Sequence, residues 1–258
     1  MSAADTTVIV TGAGRGIGRA AAIRLARDFA HVVILARTAA ALDETAARIR
    51  EAGAQPLVIA EDLRRPEAAA RIVALALEKT GRIDALVNVA GAVAPTDLFS
   101  MSDAEWDDGF ALKFHGARRL TVQAWEALKL SKGAVVLTSG ASAMAPKAPG
   151  AAIATINAAI NALAKAFSER GIGDGVQVNS VLPGPVVTDR RLAMLHKFAE
   201  ARGVGLEEGM RQFSTQAGIS RLGQPEEVAD LIAFLVSPAA RWMTGSMVRM
   251  DGGEANTV

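Results

Sequence analysis

Directly after the short apolar run Thr7 to Val10, glycine fills every second position, Gly12, Gly14, Gly16 and Gly18, and Ile17, Ala21 and Leu25 then recur at helical spacing. Such a stretch has few ways to fold: a buried strand must stop, turn sharply and start a helix. Gly12 permits the tight turn, Gly16 lets backbone come close to a bound pyrophosphate, and Gly18 lets the helix pack tightly, while the helix N-terminus favours negative charge. Strand, glycine loop and helix in this order predict the opening unit of a dinucleotide-binding α/β fold.

The rest of the chain continues the pattern. Apolar runs at Val32 to Leu35, Leu57 to Ile59, Ala85 to Val87, Val135 to Leu137 and Val176 to Val178 alternate with helical segments. Parallel strands covered on both faces read as unbroken apolar runs, so the alternation predicts repeated βαβ units. Ser102-Asp-Ala-Glu105 is a capping box and places a helix start near Asp103. Pro66 and Pro225 suit first helical turns, and Gly53 and Gly81 suit helix ends that need a left-handed residue. After Pro225, Val228, Leu231, Ile232 and Leu235 lie on one helical face. No repeat or linker divides the chain, and its 258 residues suit one large domain over positions 1–258.

Charge and cysteine content exclude several functions. A net charge of +1 gives no bulk drive toward nucleic acid or an anionic membrane. Without cysteine there is no disulfide, thiolate metal site or thiol nucleophile. His31, His115 and His196 are not spaced as metal ligands with a carboxylate, so no metal is expected. The uncharged stretch from Ala148 to Ala164 carries two asparagines and a proline and is short for a membrane span, which predicts a helix buried in the core and in a subunit interface. Met1 to Asp5 leads into a strand without the features of a secretory signal, so a cytoplasmic location is expected.

Several separated motifs, in order from Thr7 to Gly253, resemble the short-chain dehydrogenase/reductase family. They are the G-x-x-x-G-x-G loop, Asn88-Val-Ala90-Gly91 after the fourth strand, Asn179 through Pro183-Gly184-Pro-Val186-Val-Thr188, Arg221-Leu-Gly-x-Pro-Glu-Glu-Val228, and Asp251-Gly-Gly253. The resemblance implies a single-domain Rossmann fold: a doubly wound parallel sheet of about seven strands, order 3-2-1-4-5-6-7, with helices on both faces. It also implies a small-molecule substrate, a substrate lid at about 189–218, and a homo-oligomer, tetramer or dimer. Cofactor contacts fall on Gly12, Gly14, Arg15, Gly16, Ile17, Gly18, Asn88, Ala90, Gly91, Pro183, Gly184, Val186 and Thr188, with Asp62 and Leu63 near adenine. The second strand ends in Ala36-Arg37 rather than in an acid that would accept from ribose hydroxyls. Arg37 with Arg15 forms a cationic fork for a 2′-phosphate, so NADP(H) is favoured over NAD(H).

The chemical half departs from the family. Its members move the proton with a tyrosine in a Tyr-x-x-x-Lys pair, assisted by a serine and an asparagine. This chain contains no tyrosine. Registering the motifs places the asparagine, serine, tyrosine and lysine roles on Lys113, Gly140, Ile153 and Asn157, which marks a divergent subgroup. Ile153 carries no transferable proton. Lys113 is the candidate replacement cation or proton donor, Ser139 or Ser142 the candidate carbonyl-orienting hydroxyl, and Asn157 a candidate partner of ribose hydroxyls. Three functions stay open: an NADP(H)-dependent oxidoreductase with a non-standard proton donor, a catalytically silent NADP(H)-binding protein acting as sensor or partner subunit, and non-redox chemistry by an activated lysine. Met194, Leu195, Phe198 and Phe213 of the lid either cover an apolar substrate or dock the lid on its own core.

Overall fold

A computed structural model of the protein describes residues 5–93 and 96–256; Met1 to Ala4, which belong to the expected leader into the first strand, lie outside them. Seven strands, β1 (Thr7–Thr11), β2 (His31–Ala36), β3 (Gln55–Ala60), β4 (Ala85–Asn88), β5 (Ala134–Thr138), β6 (Gln177–Pro183) and β7 (Met247–Met250), form one sheet in the order β3-β2-β1-β4-β5-β6-β7. Each neighbouring pair runs parallel, so the sheet is the doubly wound Rossmann arrangement that the sequence implies.

Alternation along the strands divides the core between the two faces. Val8, Val10, Val32, Ile34, Val87 and Val136 pack with residues of α1 (Gly16–Leu25), α2 (Asp43–Glu51) and α9 (Pro225–Val236). Ile9, Val33, Leu35, Leu86, Val135 and Leu137 pack with α3 (Ala68–Thr80), α5 (Ala117–Ser131) and α6 (Ala151–Asp174). Small Ala21, Ala22 and Ala229 bring α1 and α9 close, and the Arg24–Asp230 ion pair at 2.7 Å ties them at the surface. Burying each larger aliphatic side chain stabilises the sandwich by roughly 1.5–3 kcal/mol.

Ser102 and Glu105 form the expected capping box, opening α4 (Asp103–Gly109). The helix does not continue as an α-helix to Lys113, however. Phe110–Gly116 winds as a π-helix before the rod resumes as α5. Glycines bracket this turn where neighbours press in: a Cβ on Gly109 would lie 2.9 Å from Ile156 Cδ1, and one on Gly116 would lie 3.1 Å from Leu63 Cβ. Wide turns of this kind cluster at functional sites.

Pro225 takes the first position of α9, and Gly53 and Gly81 have the left-handed φ values 93° and 73°. Pro66 instead lies in the turn ahead of α3, which begins at Ala68. α6 is apolar and long enough to cross a membrane by length and composition, yet Ile160 and Ala164 on it are buried with the core strands. The expected lid is a helical pair, α7 (Asp189–Glu200) and α8 (Leu206–Gln216). Leu195, Ile219 and Leu222 form its own small core, with Met194 and Phe213 packed against it, so these apolar side chains dock the lid.

Candidate active site

Sheet order reverses between β1 and β4, and a cleft of about 680 Å³ opens there, beyond the carboxyl ends of the strands. The glycine loop forms its floor. Gly12 and Gly16 have φ of 67° and 53°. A Cβ on Gly12 would lie 3.0 Å from Ala90 Cα, one on Gly14 2.9 Å from the Ala41 carbonyl, and one on Gly18 2.2 Å from the Gly12 carbonyl. Only glycine permits this close passage of backbone, which leaves the amides of the loop open to an anion at the start of α1. The Thr11 hydroxyl accepts from the amides of Val89 and Ala90, each at 2.9 Å, and so holds the loop after β4 against the glycine turn.

Of the expected cofactor residues, Gly12, Gly14, Arg15, Gly16, Ile17, Gly18, Arg37, Leu63, Ala90, Gly91 and Thr188 line this cleft. Five others do not. Asp62 accepts from the Arg64 amide at 3.0 Å. Asn88 is buried and donates to Thr121 Oγ1 at 3.3 Å. Pro183 ends β6, Gly184 packs on Asp251, and Val186 is buried in the core. The last three position the strand end from behind. Arg15 and Arg37 are both exposed on the wall, and neither makes an ion pair among the described residues. Arg64 and Arg190 also line the cleft, although sequence reasoning did not select them. Arg64 is held by Asp108 at 2.5 Å, whereas Arg190 donates to the Val93 carbonyl across the cleft mouth. The only signal for Arg190 was the Asp189-Arg-Arg191 cluster, which also fits a solvated helix start.

Lys113, Ser139, Gly140, Ser142 and Asn157 come together, whereas Ile153 does not join them. Lys113 Nζ donates to Asn157 Oδ1 at 2.5 Å and to the Ser139 carbonyl at 3.0 Å. Asn157 Nδ2 donates to Ser142 Oγ at 2.9 Å, and Ser139 Oγ donates to the Asn157 carbonyl at 2.8 Å. The Ser139 hydroxyl is therefore committed to backbone, while Ser142 keeps its own proton. A Cβ on Gly140 would lie 2.5 Å from Asn157 Nδ2, so the space of a side chain at 140 holds the amide of Asn157. The stem of Lys113 lies along Gly91, where a Cβ would meet Lys113 Cδ at 3.0 Å. Burial and, secondarily, the nearby Arg190 charge push the Lys113 ammonium down to about 8. Ile153, like Met101, Trp106 and Phe110, packs against the small apolar cluster of Val93, Ala152 and Ile156.

A family model described as enoyl-(acyl carrier protein) reductase matches residues 12–254. The short-chain reductase protein NovJ of Streptomyces niveus is 32% identical over 96% of this chain and 94% of its own length. The chain belongs to the short-chain dehydrogenase/reductase family. Among solved short-chain reductases, L-sorbose reductase of Gluconobacter frateurii, complexed with NADPH and L-sorbose, superposes with a TM-score of 0.93 at 27% identity, covering 98% of this chain and 97% of that one. Actinorhodin polyketide ketoreductase with NADPH gives 0.91 at 27% identity, covering 99% of both. The fold of this family member is thus shared over nearly its whole length.

Proposed function

We propose that the protein is an NADP(H)-dependent short-chain oxidoreductase that reduces a carbonyl group, with the Lys113 ammonium in place of the usual phenol. The nicotinamide supplies the hydride when bound. The amides of the glycine loop fit its pyrophosphate, and Arg15 and Arg37, lacking carboxylate partners, fit a 2′-phosphate. The observation that carries the reading is the state of Lys113. Two of its three N–H groups are used by Asn157 and Ser139, and no described residue takes the third. With its acidity raised to about 8, this ammonium can give a proton to a developing alkoxide near neutral pH and recover it from water. Asn157, anchored by Ser142, holds the ammonium in place.

Steady-state assay of a carbonyl panel, followed by loss of NADPH absorbance, tests the reading. Turnover that persists unchanged in Lys113→Met removes the lysine from the mechanism. Ile153, an apolar group at the tyrosine position, favours a second reading, a silent NADP(H)-binding protein. NADPH binding by fluorescence titration with no turnover across the panel would select it.

A further inference from the structure

The lid packs Leu195, Met194 and Phe213 on its own core and carries two adjacent arginines, of which Arg190 lines the cleft and Arg191 lies on Phe213. Arg191 is the more informative. It is partly buried, its guanidinium lies 5.4 Å from the centre of the Phe213 ring and 3.4 Å from Met194 Sδ, and it makes no ion pair among the described residues. Elsewhere in the chain, comparable guanidinium groups such as Arg24, Arg64 and Arg82 are each bound to a carboxylate at 2.5–2.7 Å. A desolvated cation stacked on an aromatic ring with no carboxylate bonded to it is costly to hold, and an anionic ligand offsets that cost.

Three segments bring charge to this point. Arg191 comes from α7, Lys147 from the loop between Ser142 and α6, and Glu254 from the tail after β7. Glu254 lies within electrostatic reach of both cations and of Asp251, and burial raises its pKa, but it is in contact with neither cation. Asp251 is engaged by the amides of Gly253 and Ala255. Arg190, next in sequence, lines the cleft and acts electrostatically on both Lys113 and Arg191. The balance of Arg191, Lys147, Arg190 and Lys113 against Glu254 and Asp251 is positive.

We infer that the substrate is an anionic carbonyl compound, an oxo acid whose carboxylate is held by Arg191 and Lys147 while its carbonyl faces Lys113. This rests on the reductase reading for the carbonyl half; the carboxylate half stands on the lid alone. Stacked on Phe213, the guanidinium is pre-oriented for a planar carboxylate, and the exposed Lys147 adds a mobile point charge from the loop before α6. Glu254 repels a second anion and favours a monoanion at this position.

The test uses the full chain saturated with NADPH, so that cofactor phosphates occupy the glycine loop. Pyruvate, acetoacetate and levulinate are each compared with their methyl esters in turnover, and butyrate, which cannot react, is titrated for binding. Wild-type protein should prefer at least one acid over its ester by at least about tenfold in kcat/KM, chiefly through KM, and should bind butyrate more tightly than ~10 mM. Arg191→Met should lose both effects about tenfold, Lys147→Met less, with NADPH affinity unchanged in each as the sign of an intact fold. Equal treatment of acids and esters overturns the inference, as does carboxylate binding that survives both substitutions. Carboxylate binding that depends on Arg191 without any turnover upholds the anion site and removes the reductase reading instead. No binding of butyrate or the acids removes the anion site whether or not esters are reduced.

Discussion

Lys113 and Asn157 meet ammonium to amide at 2.5 Å, joining the π-helical turn to α6. The register proposed from the motifs puts the family's asparagine at 113 and its lysine at 157. On that proposed register the pair is exchanged: the cation sits on the π-helical turn rather than on α6, and the two groups bond to each other. Gly140 and Gly91 accommodate it, one by making room for the Asn157 amide and the other for the lysine stem.

The exchange predicts a non-additive double variant. Lys113→Asn leaves Asn157 without its donor, and Asn157→Lys sets two ammonium groups against each other. Each single change should lower thermal stability by several degrees, and the double change should recover most of that loss. A double-mutant cycle by thermal unfolding measures the coupling, expected at about 0.5–3 kcal/mol in favour of the pair.

The proposed proton donation by Lys113 predicts a pH dependence. The ammonium is the competent form for reduction and is present below its pKa of about 8, so kcat for carbonyl reduction should fall as pH rises through 8. Lys113→Met should lower turnover by about two to four powers of ten and abolish this limb. Stability runs the other way: between about 8 and the ordinary lysine value of 10.5 the unfolded chain binds more protons than the folded one, so unfolding free energy should rise with pH there. Urea unfolding of wild type and Lys113→Met across this window reads the difference.

Arg15 and Arg37 predict cofactor choice. Arg15→Ala with Arg37→Ala should weaken NADPH binding by about tenfold to a hundredfold and leave NADH nearly unchanged, because only the former carries the 2′-phosphate. Fluorescence titration with both dinucleotides decides it; equal losses would show that the arginines serve a group the two share.

Restoring the family's serine at 140 should harm this protein. With the new Cβ placed 2.5 Å from Asn157 Nδ2, Gly140→Ser must displace the amide that holds Lys113. Overpacking of this kind costs roughly 1–3 kcal/mol, and the variant should also shift the pH limb of turnover away from that of wild type. A variant with unchanged melting temperature and pH profile would contradict the packing described for Asn157.

Thr11 gives a test of cleft architecture. Its hydroxyl serves two amides of the loop after β4, so Thr11→Val should cost about 1–3 kcal/mol and loosen NADPH binding together. Hydrogen exchange at Val89 and Ala90 reads the local effect.

Local chemistry determined much of this protein before any fold was known. Apolar runs of strand length, glycines at alternate positions and a capping box each act over a few residues, so the parallel sheet, the phosphate-shaped loop and the start of α4 are legible in the chain, as is the missing phenol. The tertiary structure decided how the remaining chemistry is wired. Lys113 reaches Asn157 only because a π-helical turn, closed by Gly109 and Gly116 against α6 and Leu63, sets the direction of that lysine. Arg190 and Arg191 read as a solvated helix start until the docking of α7 on α8 turns one to the Val93 carbonyl and the other onto Phe213. Contacts between residues tens of positions apart depend on sheet order and helix packing, which the spacing of side chains along a single segment does not contain.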